Sequence, residues 1–116
     1  MLAKQSRLVK EKDFEKTFKL GKSFYSKLFG VKMVANGLTN NRYGIIISSK
    51  VSKKAVERNK LKRQIRVVLR KLDKHLNHGY DLIIIVLPIA LNQGFDVVSA
   101  ELEKISLKLK LFKPGK

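Results

Sequence analysis

Between Ser48 and Lys71 the chain reads SSKVSKKAVERNKLKRQIRVVLRK, which sets Arg58, Lys60, Lys62, Arg63, Arg66, Arg70 and Lys71 close together after Lys50, Lys53 and Lys54. The chemistry open to such a set is the binding of polyanions. Arginine grips two phosphate oxygens at once, lysine acts as a point charge, and a single-sign surface is rewarded by counterion release. Solvated charged faces usually mix both signs, yet in and beside this stretch Glu57 and Asp73 are the only acids. Like charges this close repel one another, so the stretch reads as a surface whose repulsion a partner offsets.

Phe14 and Phe18, in KEKDFEKTFKLG, form the second candidate set. They lie four residues apart, on one face of a short helix that Gly21 terminates. Exposed rings beside a basic face stack unpaired bases, for about 1–3 kcal/mol each. The spacing fits two core rings equally well. Tyr25, Phe29 and Tyr43 read as strand packing, although strand alternation leaves one face free to touch a ligand.

Other chemistries find little support. A two-metal nuclease needs carboxylates that converge on ions about 4 Å apart. Most of the acids here lie on the expected first and last helices, spaced with lysines as on solvated faces. His75 and His78 lack a third metal ligand and read as surface residues at a helix end. Ser48, Ser49 and Ser52 have no His–Asp pair nearby and read as turn and capping residues. The chain has no phosphate-cradling glycine loop and no cysteine, so neither a catalytic side chain nor a protein-held metal is expected.

The elements that must position these residues follow from periodicity. SFYSKLFGVKMVA and RYGIIISS, rich in aromatic and β-branched residues, flank the turn-prone NGLTNN and read as a hairpin. Leu61, Ile65, Val68, Leu69, Leu72 and Leu76 make one apolar stripe of a long helix, with Asn59, Arg63, Arg66, Arg70 and Lys74 pointing elsewhere and Gly79 as its C-terminal cap. DLIIIVL, Asp81 to Leu87, is a continuous apolar run, as in a strand buried on both faces, and Pro88 ends it. A last helix starts at Asp96 as N-cap, with Val97, Val98, Leu102, Ile105 and Leu109 facing inward. The order predicts an α+β fold, a two-layer sandwich of helices on a small sheet.

At 116 residues, with 26 basic residues against 9 acidic ones and a formal charge of +17, the chain is read as one domain, 1–116, with a frayed basic tail near 110–116. That excess points to nucleic acid or an anionic membrane surface. The membrane is the weaker choice, because the basic helix buries its apolar stripe in the domain. LIIIVLPIAL is interrupted by Pro88 and shorter than the roughly 20 residues of a membrane span. MLAKQSRLVK lacks the apolar stretch of a signal peptide, so a cytoplasmic protein is expected.

GIIISSKVSKKAVERNKLKRQIR, from Gly44 to Arg66, resembles the protein subunit of bacterial ribonuclease P: a strand, a Ser-Lys-Lys-like turn, then a helix opening on an RNR signature and continuing with KR and a further arginine. DFEKTFKLGKS resembles the first helix of that family, and YDLIIIVLP and the final helix fall in the expected order. The resemblance implies that the basic helix joins two parallel strands by a left-handed crossover, an arrangement that composition does not predict. It also implies a ribonucleoprotein that removes the 5′ leader of precursor tRNA, with Mg ions held mainly by RNA and catalysis by the RNA subunit.

By position, Arg58, Asn59, Lys60, Lys62, Arg63, Arg66 and Arg70 would contact the catalytic RNA. Phe14, Phe18, Lys32, Lys50 and Lys53, with the sheet around Gly30, would line a leader cleft. Lys60 stands for the second arginine of the signature, Ser49 for the first lysine of its pair and Lys32 for a common aromatic. The competing expectation is a ribosomal or other structural RNA-binding protein without a role in cleavage. The oligomeric state is not legible in the sequence.

Overall fold

A computed structural model describes residues 6–111. Four strands, β1 (Lys22–Tyr25), β2 (Phe29–Ala35), β3 (Arg42–Ile46) and β4 (Tyr80–Val86), form one sheet in the order β1-β2-β4-β3. Three helices accompany them, α1 (Glu11–Leu20), α2 (Ala55–Asp73) and α3 (Phe95–Lys108), with a 3-10 turn at Pro88–Ala90. The α+β expectation is met.

The hairpin expected across NGLTNN does not form. β4 inserts between β2 and β3, antiparallel to the first and parallel to the second. The hairpin lies instead within SFYSKLFGVKMVA, where β1 pairs with β2 and the Ser26 hydroxyl oxygen accepts the Phe29 N–H at 3.3 Å. The reason is burial. β4 is apolar on both faces, so it needs a strand on each edge and cover on each side, and only the central position supplies both. Consequently α2 is the connection between parallel neighbours β3 and β4.

Leu61, Ile65, Val68 and Leu69 of α2 pack with Val98, Leu102 and Ile105 of α3 against Val31, Met33, Leu82, Ile84 and Val86 of the sheet. Each fully buried aliphatic side chain contributes about 1.5–3 kcal/mol. Ile83 points to the opposite face and is also fully buried, because α1 covers part of that side.

Three boundaries differ from the periodicity. α2 ends at Asp73 with Lys74 as its cap, whereas Gly79 lies beyond it with φ +102, a left-handed conformation that turns the chain into β4. α3 is capped by Gly94, with Asp96 in its first turn, where a carboxylate favours the helix dipole. Val97 is 45 % exposed, because the inward stripe of α3 runs through Val98, Leu102 and Ile105. At the expected tail, Leu111 is buried and its carbonyl accepts the Asn77 N–H at 2.6 Å; residues 112–116 lie outside the described ones.

Two polar links tie these layers. Asp81, 2 % exposed, accepts Arg42 Nε at 2.8 Å and Nη2 at 2.7 Å, and Asn36 Nδ2 at 2.9 Å. Arg42 Nη1 also reaches Asp13 of α1 at 3.2 Å. Asp13 and Asp81 are thus structural ion-pair partners rather than members of solvated faces. Elsewhere the Tyr43 hydroxyl donates to Asp73 of α2 at 2.6 Å. Burial first, and then that carboxylate, raise the Tyr43 pKa well above its usual value.

Arg42→Ala leaves the Asp81 carboxylate buried with Asn36 alone, so it is expected to cost about 3 kcal/mol, read as a lower urea midpoint with an unchanged slope. Tyr43→Phe is expected to cost about 1 kcal/mol at neutral pH. Above about pH 10 the unfolded chain releases this phenol proton while the native state keeps it, which penalises the wild type by up to about 1.4 kcal/mol per pH unit. Urea titrations at neutral pH and near pH 11 should therefore show the gap between variant and wild type closing.

Candidate nucleic-acid interface

The sequence of α2 divides its surface into stripes. Leu61, Ile65 and Val68 face the core, while Asn59, Lys62, Arg63, Arg66 and Val67, at i, i+3, i+4, i+7 and i+8 spacing, line a single outer depression. Arg70 is exposed one turn further on. Lys60 does not join that stripe. It lies with Glu57, Leu61 and Gln64 on the flank facing the loop before α3. Arg58 is partly committed, its Nη1 donating to the Ser52 carbonyl at 2.8 Å.

The turn before α2 is held by its own serines. The Ser52 hydroxyl donates to Glu57 and its oxygen accepts the Lys54 N–H at 3.1 Å, and Ser48 Oγ accepts the Lys50 N–H at 3.2 Å. Lys50 and Lys53 are exposed on this turn, not on the sheet face. Among the described residues, no ion pair or hydrogen bond holds the side chain of Lys60, Lys62, Arg63, Arg66 or Arg70. That leaves a row of free cations on a rigid helix.

The second region is the sheet face opposite α2. Phe14 of α1 lies over Gly44 of β3, where a Cβ would stand 2.6 Å from the ring, and Tyr25 lies over Gly30 in the same way at 2.3 Å. Both glycines therefore admit a ring against bare backbone. Phe14 is half-buried and Phe18 is 41 % exposed, so the even choice between core and platform resolves differently for each ring. Lys32 Nζ sits 5.7 Å from the Phe18 centroid and donates to Ser23 Oγ at 2.9 Å. Where the resemblance led one to expect an aromatic, a cation lies over an aromatic instead.

The structure thus brings Phe14, Phe18 and Lys32 together on one face and gathers Asn59, Lys62, Arg63 and Arg66 on another. Sequence reasoning missed Tyr25, which is 55 % exposed on the Lys32 side of the sheet instead of packed in the core. Its pairing with Gly30 was the available signal, since a glycine inside a strand often marks close approach of another group. Among the described residues no group of three or more His, Cys, Asp or Glu is placed to hold a metal. His78 Nε2 lies 3.1 Å from the Asp73 carbonyl oxygen. No helix is long and apolar enough to cross a membrane among the described residues.

Phe14→Ala opens space over Gly44 and is expected to lower stability by about 2 kcal/mol, whereas Phe18→Ala should cost less than about 1 kcal/mol. Thermal unfolding of the two variants checks this. Equal losses would show that both rings pack alike.

The sequence model of the ribonuclease P family matches residues 2–110. The ribonuclease P protein component of Cyanothece sp. is 40 % identical, covering 90 % of this chain and 92 % of that protein. That of Clostridium botulinum is 40 % identical over 71 % of this chain and 74 % of its own length. Among solved structures, the ribonuclease P protein of Staphylococcus aureus superposes with a TM-score of 0.85 at 30 % identity, covering 93 % of this chain and 98 % of that one. The Thermotoga maritima protein gives 0.79 at 32 %, covering 85 % and 93 %. With nearly the whole chain matched in sequence and in fold, the protein belongs to the ribonuclease P protein family.

Proposed function

We propose that this chain is the protein subunit of a ribonuclease P ribonucleoprotein, which binds the catalytic RNA through α2 and the 5′ leader of precursor tRNA through the face that carries Phe18 and Lys32. The observation that carries the reading is the unpaired row Lys62, Arg63, Arg66 and Arg70 on the outer side of α2. Folding gains nothing from cations left free and side by side, whereas a folded RNA presents phosphates to such a row.

In this reading the side chains of the protein position RNA and neutralise its charge. Magnesium ions, held mainly by the RNA and not by residues of this chain, would supply the Lewis-acid chemistry of the cleavage. Phe18 stacks an unpaired leader base, while Lys32 and the exposed Lys50 and Lys53 take its phosphates with little sequence preference. The left-handed sense of the β3–α2–β4 connection and a cytoplasmic place of action belong to the same reading, and the absence of cysteine fits a reducing compartment.

Incubating the protein with precursor tRNA at low magnesium, with and without a bacterial ribonuclease P RNA, tests it. Cleavage at the mature 5′ end should need the RNA and rise when the protein is added; cleavage by protein alone would refute the assignment. Arg63→Ala with Arg66→Ala should weaken binding to the catalytic RNA and reduce the slope of log K against log salt by about one counterion per lost contact. A protein that prefers ribosomal RNA to both of these RNAs would belong to the structural class instead.

A further inference from the structure

Lys60, the last residue of the signature, borders a cavity on the flank of α2. The cavity measures about 340 Å³ and lies between the first turns of α2 and the loop that leads into α3. That volume falls within the range of about 300–1,000 Å³ typical of small-molecule sites. Its lining is mostly polar, with the buried Leu61 and the half-buried Leu91 as its apolar part.

The walls carry three amides: Gln64, Asn92 and Gln93. Gln93 donates Nε2 to the Ile89 carbonyl at 3.0 Å, which fixes the side chain and leaves its own carbonyl oxygen as an acceptor. No hydrogen bond from a described residue occupies Gln64 or the Asn92 side chain. Asn92 sits at φ +66, a left-handed conformation that asparagine tolerates better than most residues.

Charge decides what such a cavity takes. Lys60 and Glu57 contribute one charge of each sign, so a phosphate finds no net attraction inside. A flat neutral ring with donors and acceptors along its edge matches the two leucines and the amides together. Asparagine and glutamine amides pair with base edges, and Glu57, already accepting the Ser52 hydroxyl, can accept an exocyclic amine as well. In RNA it is unpaired, splayed bases that proteins read this way.

We propose that this cavity receives one unpaired nucleobase of the RNA engaged by α2, with Gln64 and Asn92 reading its edge, Leu61 and Leu91 beneath its ring and Lys60 meeting its phosphate at the rim. The inference rests on the reading of α2 as an RNA-binding surface. It adds base recognition to a surface otherwise limited to phosphate contacts.

The test compares wild type with Gln64→Ala/Asn92→Gly, in which glycine keeps the left-handed backbone, after circular dichroism has shown equal folding. Both are titrated with a bacterial ribonuclease P RNA across a potassium chloride series, and the complexes are probed with dimethyl sulfate and a carbodiimide, which modify exposed base edges. The expected result is binding about tenfold weaker with an unchanged salt slope, because a base-edge contact releases no counterion, together with one base that the wild type protects becoming reactive. An identical footprint overturns the inference, whether or not affinity falls, and so does a slope reduced by about one counterion with no newly reactive base. Failure of the wild type to bind the RNA is seen before any variant is compared, and it would remove the proposed function itself.

Discussion

The buried carboxylate of Asp81 is the point on which the arrangement turns. It lies at the start of the central strand, where a lone charge would be expelled to water or neutralised. Its two partners come from either side of β4, since Arg42 opens β3 and Asn36 follows β2, and Arg42 extends the network to Asp13 of α1. One charge thus fixes which strands flank β4 and where α1 sits on the sheet. Apolar contacts alone would tolerate a slide of α1 along the sheet, whereas a bidentate guanidinium–carboxylate pair does not. Because α1 carries Phe14 and Phe18, the geometry of the aromatic face is inherited from this network.

How much of this was legible in the sequence depends on whether the deciding contact was local. The stripe of α2 is a property of spacing within one element, and Leu61, Ile65, Val68 and Leu69 are buried as the periodicity requires, with Leu72 half-buried and Leu76 buried beyond the end of the helix. β4 was equally plain, because a continuous apolar run has only an interior to occupy. Its neighbours were not: NGLTNN has every local property of a hairpin turn, and only competition for the edges of β4 sends β2 and β3 to opposite sides of it. Gly79 was assigned to a helix end on its residue type, while the demand it meets, φ +102 at the entry to β4, is set by the sheet. The ring faces of Phe14 and Tyr25 were hidden likewise, since each is defined by a glycine on another strand.

The candidate site shows the same division. That the cations of α2 form a binding surface follows from their number and sign. That Lys60 leaves the row, with Arg58 drawn to the Ser52 carbonyl, follows from the helical rotation relative to a core whose direction the sequence does not state. The three residues of the RNR-like signature therefore occupy different surroundings despite being consecutive, and only Asn59 shares the outer stripe with Lys62, Arg63 and Arg66.

The placement of charge along α2 separates binding from stability. Unpaired N–H groups make the start of a helix electropositive, so basic side chains there cost about 0.3–1 kcal/mol each, and acids are preferred. α2 begins after Lys53 and Lys54, with Arg58 and Lys60 following and Glu57 as the one acid of its first turn. Apart from the Arg58 contact with the Ser52 carbonyl, no side-chain hydrogen bond or ion pair among the described residues compensates those cations, and the helix is held instead by four buried aliphatic residues on its inner side. Side-chain charge and helix dipole thus add at the same end, beside the serine-held turn. An anion arriving there gains from both fields at once, and the penalty that the free protein carries becomes part of the binding free energy.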